Sequence, residues 1–224
     1  MGNTEVSNLR QIVGTSASVW TILQMLSPVP TCYHFIKTKS VGDMIVTPYV
    51  VAFTSCTMWL LYGVIIGDRT VININTVGSA LQLSYTLCYY KFTAKRGEVR
   101  KQFGCGLFII LAAILYSFYE TNSERLISFF GFMCSFITVL FFISPLANMH
   151  YIIKIWNSES LPRLLITTTF LVSLQWTLYG YIAEDKFIIV TNFLGTLLSC
   201  AQLVLMCIIP RNPTGKYAST SRLV

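Results

Sequence analysis

The sequence predicts an all-α membrane protein of seven transmembrane helices in a 3-1-3 arrangement: two parallel triple-helix-bundle repeats with one helix between them. Three observations lead there. Seven stretches are apolar and almost free of charge, one block of the chain occurs twice, and lysine and arginine gather on alternate sides of the apolar stretches. Composition frames all three, since 54% of the residues are hydrophobic and only 11% charged. The mean hydropathy of +0.63 lies far above that of a soluble domain.

A spanning helix needs roughly 20 largely apolar residues. Stretches of about that size run from Ile12 to Tyr33, Ile45 to Ile66, Val71 to Tyr90, Gly104 to Tyr119, Ile127 to Met149, Leu164 to Ala183 and Phe187 to Ile209. No signal peptide is expected, because Glu5 and Arg10 precede the first run in place of a basic n-region, and that run exceeds a signal core. Placement of Lys and Arg orients the helices when loops are short. One side collects 12 of the 16 basic residues, from Lys37 and Lys39 through Lys91 to Lys101, Lys154 and Arg163 to the segment after Ile209, while the other holds six of the nine acids. The amino terminus is therefore expected outside the cell or in a lumen, and the carboxyl terminus in the cytosol.

The net charge of +7 is accounted for by this basic face lying against anionic lipid, so no nucleic-acid partner is called for. The seven cysteines, Cys32, Cys56, Cys88, Cys105, Cys134, Cys200 and Cys207, show no paired ligand spacing. They read as small packing residues, and neither a metal nor a cofactor is expected. No Asn-x-Ser/Thr sequon occurs.

Ser27-Pro28, Trp59-Leu60-Leu61-Tyr62-Gly63, Asp68 and Asn75-Thr76-Val77-Gly78 recur as Ser144-Pro145, Trp176-Thr177-Leu178-Tyr179-Gly180, Asp185 and Asn192-Phe193-Leu194-Gly195, every match at an offset of 117 residues. Residues 10–90 and 127–207 thus form an internal duplication. Each copy spans three helices, so direct fusion would invert the second copy, yet the loop after the first helix is basic in both. One extra crossing resolves the conflict. Gly104 to Tyr119, the shortest apolar segment and the one without a repeat partner, supplies it within a linker at 91–126. The second triplet then runs over 127–209, a short cytosolic tail follows at 210–224, and a pseudo-twofold axis along the membrane normal relates the triplets.

Taken in order, the first helix of each copy carries a proline inside its apolar run, Pro28 with Pro30 and then Pro145. An interior proline removes a hydrogen bond, and in a membrane the freed carbonyl must find another donor. Ser27 or Ser144, a neighbouring helix or cavity water are the candidates. Recurrence in both copies favours a hinge over a passive kink, and Pro48 and Pro162 are expected to add breaks near the starts of the second and sixth helices. In those helices Trp59 with Tyr62, and Trp176 with Tyr179, share a face. The tyrosines suit interfacial anchoring, and the deeper tryptophans suit a cavity. In the third and seventh helices, Asn75 and Asn192 bring amides into hydrocarbon, where each must be satisfied.

The site assembled from these residues is neutral. No Asp, Glu, Lys or Arg lies within the seven apolar cores, which disfavours pumps and ion-coupled transport. The same absence of an acid pair or zinc motif disfavours an enzyme. His34 and His150 stand at helix ends. Indole faces and primary amides suit an uncharged polyol, the ring C–H face against the indole and adjacent hydroxyls against the amide's donor and acceptor.

The paired Ser-Pro, Trp-x-x-Tyr-Gly and Asn-x-x-Gly elements resemble those of the SWEET sugar transporters of the MtN3/saliva family, over essentially residues 10 to 209, and the short tail resembles animal members. The resemblance implies a uniporter mediating bidirectional facilitated diffusion of a sugar by alternating access. It implies sugar contacts from Asn75, Asn192 and Trp176, with Trp59 at a site-facing position, and hinges at Pro28, Pro48, Pro145 and Pro162. Gln24, Ser55, Phe141 and Val172 then line the selectivity pocket, where the bulk of Phe141 points to a monosaccharide such as glucose. Tyr62, Gly63, Tyr179 and Gly180 are expected as gate or packing residues. The implied partners are a sugar and the bilayer, with homo-oligomerisation left open; the membrane is expected to be the plasma membrane, with the Golgi as the alternative. Two rivals stand beside this reading. A seven-helix receptor predicts long loops and no repeat, and a related PQ-loop transporter predicts an ionisable coupling group.

Overall fold

A computed structural model describes residues 3–159 and 161–211, the side chains of Asn3 and Ser144 aside; of the expected tail, everything from residue 212 onward lies outside the described residues. Among them all regular structure is helical: α1 (Asn3–Met25), α2 (Val29–Thr38), α3 (Thr47–Ile66), α4 (Arg69–Phe92), α5 (Arg96–Tyr119), α6 (Ser123–Leu140), α7 (Ile143–Ile155), α8 (Arg163–Ile182) and α9 (Lys186–Ile208). Two of these pairs are single bent spans, α1 with α2 over Thr4–Thr38 and α6 with α7 over Ser123–Ile155. Seven spans result, ordered three, one, three along the chain.

The two bends have the cause read from the sequence. Prolines 28 and 30 cannot donate, so Ser27 N–H turns back to the Gln24 carbonyl at 3.1 Å and Val29 N–H to that of Leu26 at 3.0 Å, three residues back instead of four. In the second copy Phe141 and Phe142 N–H reach Thr138 and Val139 at 3.1 and 2.9 Å. Pro48 and Pro162 behave differently. Pro48 lies in the first turn of α3 and Pro162 is the N-cap of α8, places where a missing N–H costs nothing. They start helices; they do not interrupt them.

The extra helix α5 is 24 residues long, as long as α4, and not the shortest segment. Its first two turns carry Arg96, Glu98, Arg100 and Lys101, a charged extension that an apolar-run reading stops short of. Among the described residues five spans are long and apolar enough to cross a membrane, and α4 and α8 are not among them. At 24 and 20 residues both have the length, but they carry many polar side chains.

The chain divides into two compact units. In residues 21–137, α3 packs along α4, α5 on α3 and α2 on α4. One end is closed by Phe35, Val41, Val46, Val50, Tyr89 and Val99. The other unit joins the described residues before 21 to those after 137, with α8 along α9 and α7 against α9. There Ile152, Leu161, Ile166 and Ile209 close the corresponding end.

Candidate functional site

Each copy builds its part of the site on two helices joined by a tight turn. Asp68 caps α4 by accepting from Thr70 and Val71 N–H at 2.9 and 3.1 Å, and Asp185 caps α9 through Phe187 and Ile188 at 2.9 and 3.0 Å. The cap satisfies two orphan donors and fixes where each helix begins. Asn75 and Asn192 therefore fall at the same point along their own helices, seven residues beyond their caps.

The glycine of Trp-x-x-Tyr-Gly lets the two helices touch. A β-carbon on Gly63 would lie 3.1 Å from the Ile72 nitrogen, and one on Gly180 2.9 Å from that of Ile189. Tyr62 and Tyr179 are each only 1% exposed, so the anchoring expected of them is not found. They are packing residues instead, with Trp59 set edge-on to Tyr62 at 5.5 Å and Trp176 edge-on to Tyr179 at 5.3 Å. A spacing of three specifies a shared face but not what that face meets. Arg10 adds a contact that no motif announced: its Nε donates to the Tyr179 hydroxyl at 3.3 Å, with the guanidinium 5.5 Å from the ring centroid.

The amides are held within their own helices. Asn75 Nδ2 donates to the Val71 carbonyl and Asn192 Nδ2 to that of Ile188, both at 2.9 Å. Each side chain is half-buried and keeps its oxygen and second N–H without a protein partner among the described residues. One donor orients the amide, and the remaining donor and acceptor stay available to hydroxyls. Trp176 is buried, while Trp59 is only partly covered.

The second glycines accommodate the bends. A β-carbon on Gly78 would meet the Cys56 thiol and the Met25 methyl, each at 2.8 Å, and one on Gly195 would meet the Ser173 hydroxyl at 2.9 Å and the Phe142 ring at 3.4 Å. Cys56 and Ser173, like Met25 and Phe142, are repeat equivalents. The pocket candidates fall beside these contacts. Ser55 and Val172 are buried in α3 and α8, and Gln24 and Phe141 are half-buried at the two bends. Pro28 and Pro145 are partly covered, whereas Pro48 and Pro162 are exposed. Within each copy the structure brings the tryptophan, tyrosine and both glycines into one packed pair of helices and sets the asparagine on the second.

A family model described as "Sugar efflux transporter for intercellular exchange" matches the chain twice, over residues 11–97 and 128–214. The "Sugar transporter SWEET1" of Drosophila pseudoobscura pseudoobscura is 40% identical over 202 residues, covering 89% of each chain. The "Bidirectional sugar transporter SWEET7b" of Oryza sativa subsp. indica is 31% identical over 217 residues, 93% of this chain and 80% of that protein. Among solved structures, a eukaryotic SWEET transporter matches with a TM-score of 0.78 and 27% identity, over 89% of this chain and 96% of that one.

Proposed function

Since the chain belongs to the MtN3/saliva family of SWEET transporters, we propose that it is a sugar uniporter, moving a monosaccharide such as glucose in either direction across a membrane by alternating access. The observation that carries this reading is the duplicated amide–indole set. Asn75 with Trp59, and Asn192 with Trp176, stand on identically capped helix pairs, and each amide keeps a donor and an acceptor unspent. Such groups bind hydroxyls weakly and reversibly and give an ion nothing to pair with.

In this proposal the four residues contact the sugar, Gln24, Ser55, Phe141 and Val172 set its size, and Pro28, Pro48, Pro145 and Pro162 serve as hinges. Pro28 and Pro145 do so at the observed helix interruptions, Pro48 and Pro162 at the joints where their helices begin. Tyr62, Gly63, Tyr179 and Gly180 keep each helix pair moving as a body. The amino terminus faces the outside or a lumen and the carboxyl terminus the cytosol, in the plasma membrane or alternatively the Golgi. Transport without an intramembrane acid or base runs down the sugar gradient alone.

The test is radiolabelled glucose flux into proteoliposomes, with and without a proton gradient, for the wild type and Asn192→Ala. Equilibrating flux indifferent to the gradient and lost in the variant is expected. Accumulation driven by the gradient sinks the uniport mechanism, and undiminished flux in Asn192→Ala removes that residue from the site.

A further inference from the structure

The two bends are not equivalent, and the difference lies in one carbonyl. In the first copy Val29 N–H pairs with Leu26, which has lost its own helical donor to Pro30, and so the Met25 carbonyl is left over. Tyr85, buried in α4, takes it: the hydroxyl donates to the Met25 oxygen at 3.0 Å. In the second copy Ala147 stands in place of Pro30, and the carbonyl of Phe142, the equivalent of Met25, is satisfied by Leu146 N–H at 3.0 Å. The equivalent of Tyr85 there is Gln202. The extra proline and the tyrosine that answers it occur together in one copy and are absent together from the other.

The surroundings follow the same division. Tyr85 lies 6.2 Å from Tyr49, the residue after Pro48, and Tyr49 lies 6.5 Å from Tyr89, whose hydroxyl donates to the Met44 carbonyl at 2.7 Å. The equivalents of Tyr49 and Tyr89 are Ile166 and Met206, in an aliphatic cluster. The repeated fold thus does not require the hydroxyls. An interhelical hydrogen bond to a freed carbonyl is also a contact that can be exchanged, because a carbonyl returned to its helical N–H needs no outside donor.

We propose that Tyr85 is a latch on the hinge of the first repeat, holding the Met25 carbonyl in the bent state described here and releasing it when the hinge moves, while the second hinge works without one. Tyr85 is thereby a positioning residue for transport, and the latch biases the carrier toward one of its two orientations. The inference rests on the alternating-access reading above.

Zero-trans influx and efflux of glucose are measured in cells expressing the full chain, as wild type, Tyr85→Phe, Tyr89→Phe, Pro30→Ala and the Tyr85→Phe/Pro30→Ala double variant. The ratio of the two maximal rates is independent of expression level. Loss of one neutral hydrogen bond is expected to shift that ratio about fivefold in Tyr85→Phe. Tyr89→Phe leaves it unchanged, and Tyr85→Phe made on Pro30→Ala adds nothing, because Met25 then regains a helical donor. A wild-type ratio in Tyr85→Phe, or an equal shift with and without Pro30, overturns the latch. Hydrogen exchange separates its failure from failure of the transport reading. If the wild type moves no glucose, the uniport reading falls, and the latch is judged by exchange of the amides at 26–32, which must quicken in Tyr85→Phe but not further in the double variant.

Discussion

Gly180 and Ile189 stand so close that a side chain on the glycine would meet the isoleucine's backbone nitrogen at 2.9 Å. The neighbour is a main-chain atom inside a helix, so it has no rotamer to yield.

Gly180→Ala is therefore expected to destabilise the protein by about 1–3 kcal/mol through overpacking, seen as a lower thermal midpoint in detergent. Gly104→Ala is the matching control. Nothing lies within 4 Å of the added carbon there, and the gain in helix propensity should leave stability unchanged or raised by about 0.5–1 kcal/mol.

A second expectation concerns the turns after α3 and α8. Gly67 has φ +71°, and its repeat equivalent Glu184 has φ +55°. A left-handed conformation costs a side-chain-bearing residue about 1–2 kcal/mol, partly offset by the unfolded-state freedom that glycine adds. Glu184→Gly should stabilise by about 0.5 kcal/mol and Gly67→Glu should destabilise by about 1 kcal/mol, both read from denaturation midpoints.

The helix caps give a third. Asp68→Ala leaves the Thr70 and Val71 N–H groups without their acceptor, at a cost of about 1 kcal/mol. Asp68→Asn restores most of it, because the asparagine oxygen accepts the same bonds. Equal losses in the two variants would assign the effect to charge, not to capping.

Phe141 carries a prediction about selectivity. It lies half-buried in the turn between α6 and α7, and truncation to alanine should let sucrose into liposomes that the wild type leaves almost sucrose-free. Unchanged sucrose uptake beside normal glucose uptake would take Phe141 out of the pocket.

The 117-residue offset makes the duplicated candidate residues, the bent first helices and the extra crossing legible in the sequence. A conserved offset reports what both copies share, and here both share the capped helix pair and its glycines. It is blind to Tyr85 and Arg10, whose equivalents, Gln202 and Ile127, are different residues. Apolar runs likewise mark helices only where they are greasy, and the first turns of α5 are charged. Trp-x-x-Tyr marked a face without saying whether lipid or protein lay against it, and burial settled that for Tyr62 and Tyr179.

Too polar to qualify as spans on their own, α4 and α8 each follow or precede a strongly apolar helix across a very short turn, α3 across Gly67 and Asp68, α9 across residues 183–185. Several of their hydroxyls are bonded within the helix, Thr76 to Ile72, Ser84 to Ala80 and Thr177 to Ser173, each through a carbonyl one turn back. During synthesis, then, neither helix is expected to partition into lipid alone. Each is expected to enter the bilayer as the weaker half of a hairpin, drawn in by its more apolar sibling.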